Sequence, residues 1–97
     1  MIEHLVLFKM KAAAPAGAAD AMIEGLRSLK TAVPSVVDLT IGYNFSERAQ
    51  GFGIGLTVRF KDRAGLQEYA AHPQHVDVVT RLIRPHTETV LALDYEF

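Results

Sequence analysis

The sequence contains no cysteine and no tryptophan. Without thiols there is no disulfide frame, no thiolate metal site and no cysteine nucleophile. An excess of one charge is also missing. Ten Lys and Arg against eleven Asp and Glu leave a formal net charge of -1, which gives no electrostatic case for nucleic acid or an anionic membrane. No apolar run is long enough to cross a bilayer, and Met1-Ile2-Glu3-His4 lacks the basic flank and extended apolar stretch of a signal peptide. Cytoplasmic residence is the expectation. At 97 residues, the chain reads as a single domain, 1–97, with a limited core of its own. What it has in quantity is apolar side chains. They make up 49% of the residues, enough that some apolar surface is expected to meet a partner.

Periodicity divides the chain into six elements. Residues 2–10 place Ile2, His4, Val6, Phe8 and Met10 on one face, with Leu5 and Leu7 on the other, which suits a central strand buried on both sides. After Pro15, Met22, Ile23, Leu26, Leu29 and Val33 recur at helical spacing until Pro34 stops the helix. Val37, Leu39, Ile41, Tyr43 and Phe45 then alternate with polar residues and glycine, the pattern of a half-buried strand. A polar loop leads to Phe52, Ile54, Leu56, Val58 and Phe60, again alternating. Asp62 is placed to cap the next helix, and Val76, Val79, Leu82 and Ile83 continue a helical stripe until Pro85. His86 is expected in solvent. Thr87 to Phe97 forms the last strand.

Strand, helix, strand, strand, helix, strand predicts an α+β ferredoxin-like fold (βαββαβ), a four-stranded antiparallel sheet with both helices on one face. The uncovered face carries leucines from the first and last strands. A second copy is the simplest cover, so the expectation is a homodimer, a dimeric α/β barrel.

The chemistry concentrates in Tyr69-Ala70-Ala71-His72-Pro73-Gln74-His75. Residues three apart share a helical face, but Pro73 lacks a backbone donor and pushes His72 out of the helical region. The spacing predicts a helix ending near Ala71, a bend at His72 capped by its own side chain, and a new turn opening on Pro73. The bend offers Tyr69 and His75 a route into one cavity. His4, on the inward face of the first strand, is expected to line it too. The same bend spoils the His72/His75 spacing for a metal, and no carboxylate stands at a telling distance, so no metal site is predicted. No cofactor is implied either. Gly51-Phe52-Gly53-Ile54-Gly55 alternates within a strand instead of turning into a helix, so it is not a dinucleotide fingerprint.

Taken together, His4-Leu5-Val6-Leu7-Phe8-Lys9, Gly42-Tyr43-Asn44-Phe45-Ser46, Phe60-Lys61-Asp62, the Tyr69 to His75 segment and Asp94-Tyr95 make a chain that resembles the stress-responsive α/β-barrel (Dabb) family along nearly its whole length. That family includes a plant polyketide cyclase, which makes olivetolic acid and carries the same Tyr-x-x-His-Pro-x-His segment. By position, its catalytic phenol and last histidine become Tyr69 and His75. Where the cyclase has aromatic pocket residues, this chain has Met22, Ile23 and Leu26, which implies a different or smaller acyl tail. The resemblance implies a cofactor-independent, cyclase-like lyase acting on a β-carbonyl compound, with a small apolar ligand lined by His4, Val6, Phe8, Met22, Leu26, Leu39 and Leu56. The alternative is a non-enzymatic stress-response or assembly protein whose cavity is filled by side chains. A cofactor-free monooxygenase is a third reading, weakened by the missing tryptophan.

Overall fold

Alternating apolar residues build the sheet, and two proline-punctuated stretches build the layer above it. The computed structural model describes every residue from Met1 to Phe97. Its elements are β1 (Ile2–Met10), α1 (Ala18–Ala32), β2 (Val36–Tyr43), β3 (Phe52–Phe60), α2 (Arg63–Ala71), α3 (Pro73–Val78), a π-helical turn (Val79–Ile83) and β4 (Thr87–Glu96). The strands pair antiparallel in the order β2-β3-β1-β4, which is the ferredoxin-like α+β arrangement.

As its two apolar faces require, β1 is central. Ile2, Val6 and Phe8 are buried beneath the helices. On the opposite face the register sets Leu5 against Leu93 and Leu7 against Leu91. Leu91 and Leu93 are each 54% exposed, so this face carries an apolar strip that the chain itself does not cover. Glu3 lies on it, buried and held by Arg59, whose Nη2 and Nε donate to one carboxylate oxygen at 2.7 and 3.0 Å.

The helical face of α1 is Met22, Ile23, Leu26 and Leu29, all buried, with Val33 beyond its end. Asp62 caps α2, its side chain accepting from the Gly65 amide at 2.9 Å. His72 is extended (φ -63°, ψ 133°), and α3 opens on Pro73. No helix is long and apolar enough to cross a membrane.

Three stretches depart from the simple periodic reading. In β2 the register slips between Val36 and Asp38. The extra residue turns Val37 outward, and only Leu39 of the expected stripe is fully buried, while Phe45 lies beyond the strand in solvent. Past Pro73 the helical phase restarts, so Val78 is buried and Val76 is exposed. His86 is half-buried, its carbonyl accepting from the Lys11 amide at 2.8 Å.

Candidate functional site

A cavity of about 410 Å³ lies between the sheet and the broken helical layer. His4, Val6 and Phe8 of β1, Leu56 of β3, and Val90 and Ala92 of β4 make its floor. Tyr69, His75, Val79, Ile83 and Arg84 close it from above, and Leu26 of α1 closes one side. Five of the seven expected wall residues are there: His4, Val6, Phe8, Leu26 and Leu56. Met22 and Leu39 are not. Leu39 belongs to β2, the edge strand farthest from β4, and Met22 is completely enclosed in the core. Helical and strand periods give the inward face but not the depth, and both side chains are packed behind the wall.

The bend at His72 determines the geometry. In an unbroken helix the Ala70 carbonyl would accept from the Gln74 amide. Here that amide donates instead to His72 Nδ1 at 3.2 Å, capping α3. The freed Ala70 carbonyl lies 3.1 Å from His75 Nδ1. A carbonyl only accepts, so Nδ1 carries the proton and Nε2 keeps the lone pair. Partial burial, chiefly, lowers the pKa of His75. The nearby imidazoles of His4 and His72 add to the effect and the Ala70 bond opposes it. The ring is therefore mostly neutral at pH 7 and has an available base nitrogen.

Tyr69 is 1% exposed, and its ring packs between Phe60 and His75, with centroids 5.2 and 4.4 Å away. Its hydroxyl is buried without a hydrogen-bond partner. Burial raises its pKa, so the phenol keeps its proton, a donor with nothing to donate to. Such a group costs about 1–3 kcal/mol when left unmet, and the side chain that carries it is one of those lining the cavity.

His4 completes the polar end of the cavity, its ring 6.2 Å from that of Tyr69. Its Nδ1 is hydrogen-bonded to the Asp94 carboxylate, which fixes the ring and leaves Nε2 unbonded. Periodicity alone assigned Asp94 no place in the site. The signal that finds it is pairing register: Asp94 stands directly opposite His4 across β1 and β4. Asp94 also borders a smaller cavity of about 330 Å³ beside Ile2 and Leu66. No three His, Cys, Asp or Glu side chains converge as a metal-binding group.

Several known proteins are similar to this chain. A stress-response A/B barrel domain-containing protein of Arabidopsis thaliana is 33% identical over 95 residues, which is 98% of this chain. The chain spans only 36% of that relative's length. Among solved structures, a dimeric protein of unknown function with a ferredoxin-like fold from Bacteroides fragilis superposes with a TM-score of 0.86 at 24% identity, covering 99% of this chain and 95% of that one. A hydroxynitrile lyase from Passiflora edulis gives a TM-score of 0.86 at 19% identity, covering 97% and 90%. At those identities the two structures speak for the fold alone. The Stress responsive A/B Barrel Domain (Dabb) model matches residues 2–97, and this chain belongs to that family.

Proposed function

We propose that the chain forms a homodimeric α/β barrel in which each subunit binds a small, largely apolar carbonyl compound and acts on it without a cofactor, as a cyclase-like lyase. The observation that carries the reading is Tyr69, a cavity-lining residue whose ring packs against that of His75 and whose buried hydroxyl has no partner. An oxygen acceptor on a ligand would satisfy that hydroxyl.

The step that fits is proton abstraction beside a carbonyl. His75 Nε2 takes the α-proton, and the C–H electron pair moves into the carbonyl, whose oxygen becomes an enolate. Tyr69 donates a hydrogen bond to that oxygen, a contact that strengthens as charge develops. The enolate carbon then attacks a second carbonyl of the same molecule, and the new alkoxide takes the proton back from His75. Proton and charge balance within the site. The neutral state of His75 and the protonated state of Tyr69 are the forms this step needs. The same fold occurs in a hydroxynitrile lyase from Passiflora edulis, which supports the scaffold's capacity and says nothing of substrate.

Dimerisation is supported by the uncovered leucine strip of β1 and β4 and by dimeric structural relatives. Each leucine buried there contributes about 1.5–3 kcal/mol. Sedimentation at low micromolar concentration should show one species at twice the chain mass. The rival assembly-protein reading needs a cavity filled by side chains, and the 410 Å³ of space beside His75 favours a ligand instead.

The chemical test is deuterium exchange at the activated carbon of a medium-chain β-keto ester, with the buffer rate subtracted. His75→Ala should lower the protein-catalysed rate by about a hundred- to ten-thousandfold while leaving the fold intact. Tyr69→Phe should cost less. Exchange no faster than in buffer, or loss of folding in His75→Ala without a separate loss of rate, would overturn the catalytic reading.

A further inference from the structure

The cavity has two polar ends, and only one is used by the chemistry above. Along the floor, the pairs His4–Asp94, Val6–Ala92 and Phe8–Val90 succeed one another across β1 and β4. A strand rises about 3.4 Å per residue, so His4 and Phe8 stand roughly 13 Å apart. His4, Tyr69 and His75 cluster at the first end. The far end is marked by Thr87 and Arg84. Between them the lining is apolar, with Phe8, Leu26, Ile83 and Val90 among its members.

Arg84 is the one cation that lines this cavity. It is partly in solvent and takes part in no ion pair and no side-chain hydrogen bond. Arg27, Lys30, Arg59, Arg63 and Arg81 are each paired with a carboxylate, and the other four unpaired cations, Lys9, Lys11, Arg48 and Lys61, do not line the cavity. Its position comes from the π-helical turn. The Arg84 amide donates to the Val79 carbonyl, five residues back, at 2.9 Å, where an α-helix would use Thr80. One extra residue in a turn rotates the residues after it by about 100° relative to regular helical spacing. Val79, Ile83 and Arg84 all reach the cavity wall from this turn. Such turns are rare and concentrate at functional sites.

We infer that the ligand is an anionic, two-ended molecule: a carbonyl at the Tyr69–His75 end, an apolar middle, and a carboxylate held by Arg84 at the other end. The inference rests on the ligand-binding reading of the cavity and adds the charge and length of what it takes. A guanidinium presents paired donors that match a carboxylate. Arg84 thus selects acids over their neutral counterparts and sets the orientation of the bound molecule.

The test compares 9-oxodecanoate with its methyl ester, titrated calorimetrically into the full chain at low ionic strength. The wild type should bind the acid at least about tenfold more tightly than the ester, the scale of a charged hydrogen bond. Arg84→Met should erase that preference, bringing the acid and ester affinities together, while Arg84→Lys should keep part of it. Tyr69→Phe should weaken acid and ester by the same factor. Equal wild-type affinity for the two compounds, or a preference that survives Arg84→Met, overturns the anion anchor while leaving the cavity reading standing. Failure of both compounds to bind overturns the cavity reading and the anchor together. A Tyr69→Phe variant that binds both as the wild type does removes the carbonyl assignment and with it the two-ended ligand.

Discussion

The two helical stretches above the sheet are built on opposite plans. α1 runs unbroken for fifteen residues, and its apolar stripe goes wholly into the core. The second stretch comes in three pieces: α2, α3 and the π-helical turn. Every break in it exposes a chemically useful group. The bend at His72 frees the Ala70 carbonyl for His75, and the π turn delivers Arg84 to the cavity. Continuity yields packing, and interruption yields a cavity lined with polar groups. Gly25 marks where the two plans meet. A Cβ there would lie 2.5 Å from Leu82 Cδ1, so the glycine lets α1 approach the broken layer closely.

The sharpest way to break this comparison is to truncate one side chain from each layer. Leu29→Ala in α1 should cost about 2–5 kcal/mol of stability through lost burial and a cavity, read as a lower denaturation midpoint, with little change in the exchange rate of the protein that stays folded. His75→Ala should do the reverse: near-native stability and a rate lower by about two to four orders of magnitude. If both variants lose stability alike, the second layer is ordinary core.

Pro73→Ala tests the bend itself. Restoring the amide lets residues 63–78 approach one continuous helix, in which Gln74 reclaims the Ala70 carbonyl and His75 rotates away from Tyr69. Stability should change by no more than about 1 kcal/mol, while activity falls and the His75 Nδ1 proton loses its protection in NMR. An unchanged His75 signal would show that packing, not Pro73, holds the bend.

Tyr69→Phe should be equally mild for stability. The hydroxyl has no partner, so its removal should leave stability within about 1 kcal/mol of wild type, or raise it. A clear loss in thermal melts would mean that the hydroxyl is satisfied in solution and is not waiting for a ligand.

The smallest expected effect is a pH dependence. The folded value of His75 is below the 6.5 of the free side chain, chiefly through burial. The unfolded chain therefore takes up its proton first. The contribution to stability is fully present above about pH 6.5 and is lost as pH falls through the folded value. The acid limb of the rate profile should likewise fall below the usual imidazole range. Replacing His75 with Ala should flatten this part of the stability curve. A curve of unchanged shape would assign the titration to another group.

Much of this was legible in the residues. Alternation located the strands, Asp62 announced a cap, and Pro73 announced the bend with His72 as its own cap. What stayed hidden shares a physical cause. A period reports which way a side chain faces only while the backbone keeps step. The slip at Val37 and the π turn each add a residue that no pattern reveals, and the restart at Pro73 exchanged Val76 for Val78. Depth is invisible for a similar reason: Met22 and Leu39 have the same inward phase as the wall residues but are packed behind them. The pairing of His4 with Asp94 needs the register between strands that lie at opposite ends of the sequence.

The π turn also says where this fold has slack. It amounts to one residue more than an α-helix would need between Val78 and Arg84. Removing a residue there would restore regular hydrogen bonding and turn Arg84 about 100° away from the cavity. The rotation would be absorbed in residues 84–86, because β4 is locked in place by its ladder with β1. This short stretch is therefore where chain length can vary without disturbing the sheet. Relatives that differ here by a single residue would keep the sheet, the bend and the His75 end of the cavity, and they would differ in which side chain lines the other end.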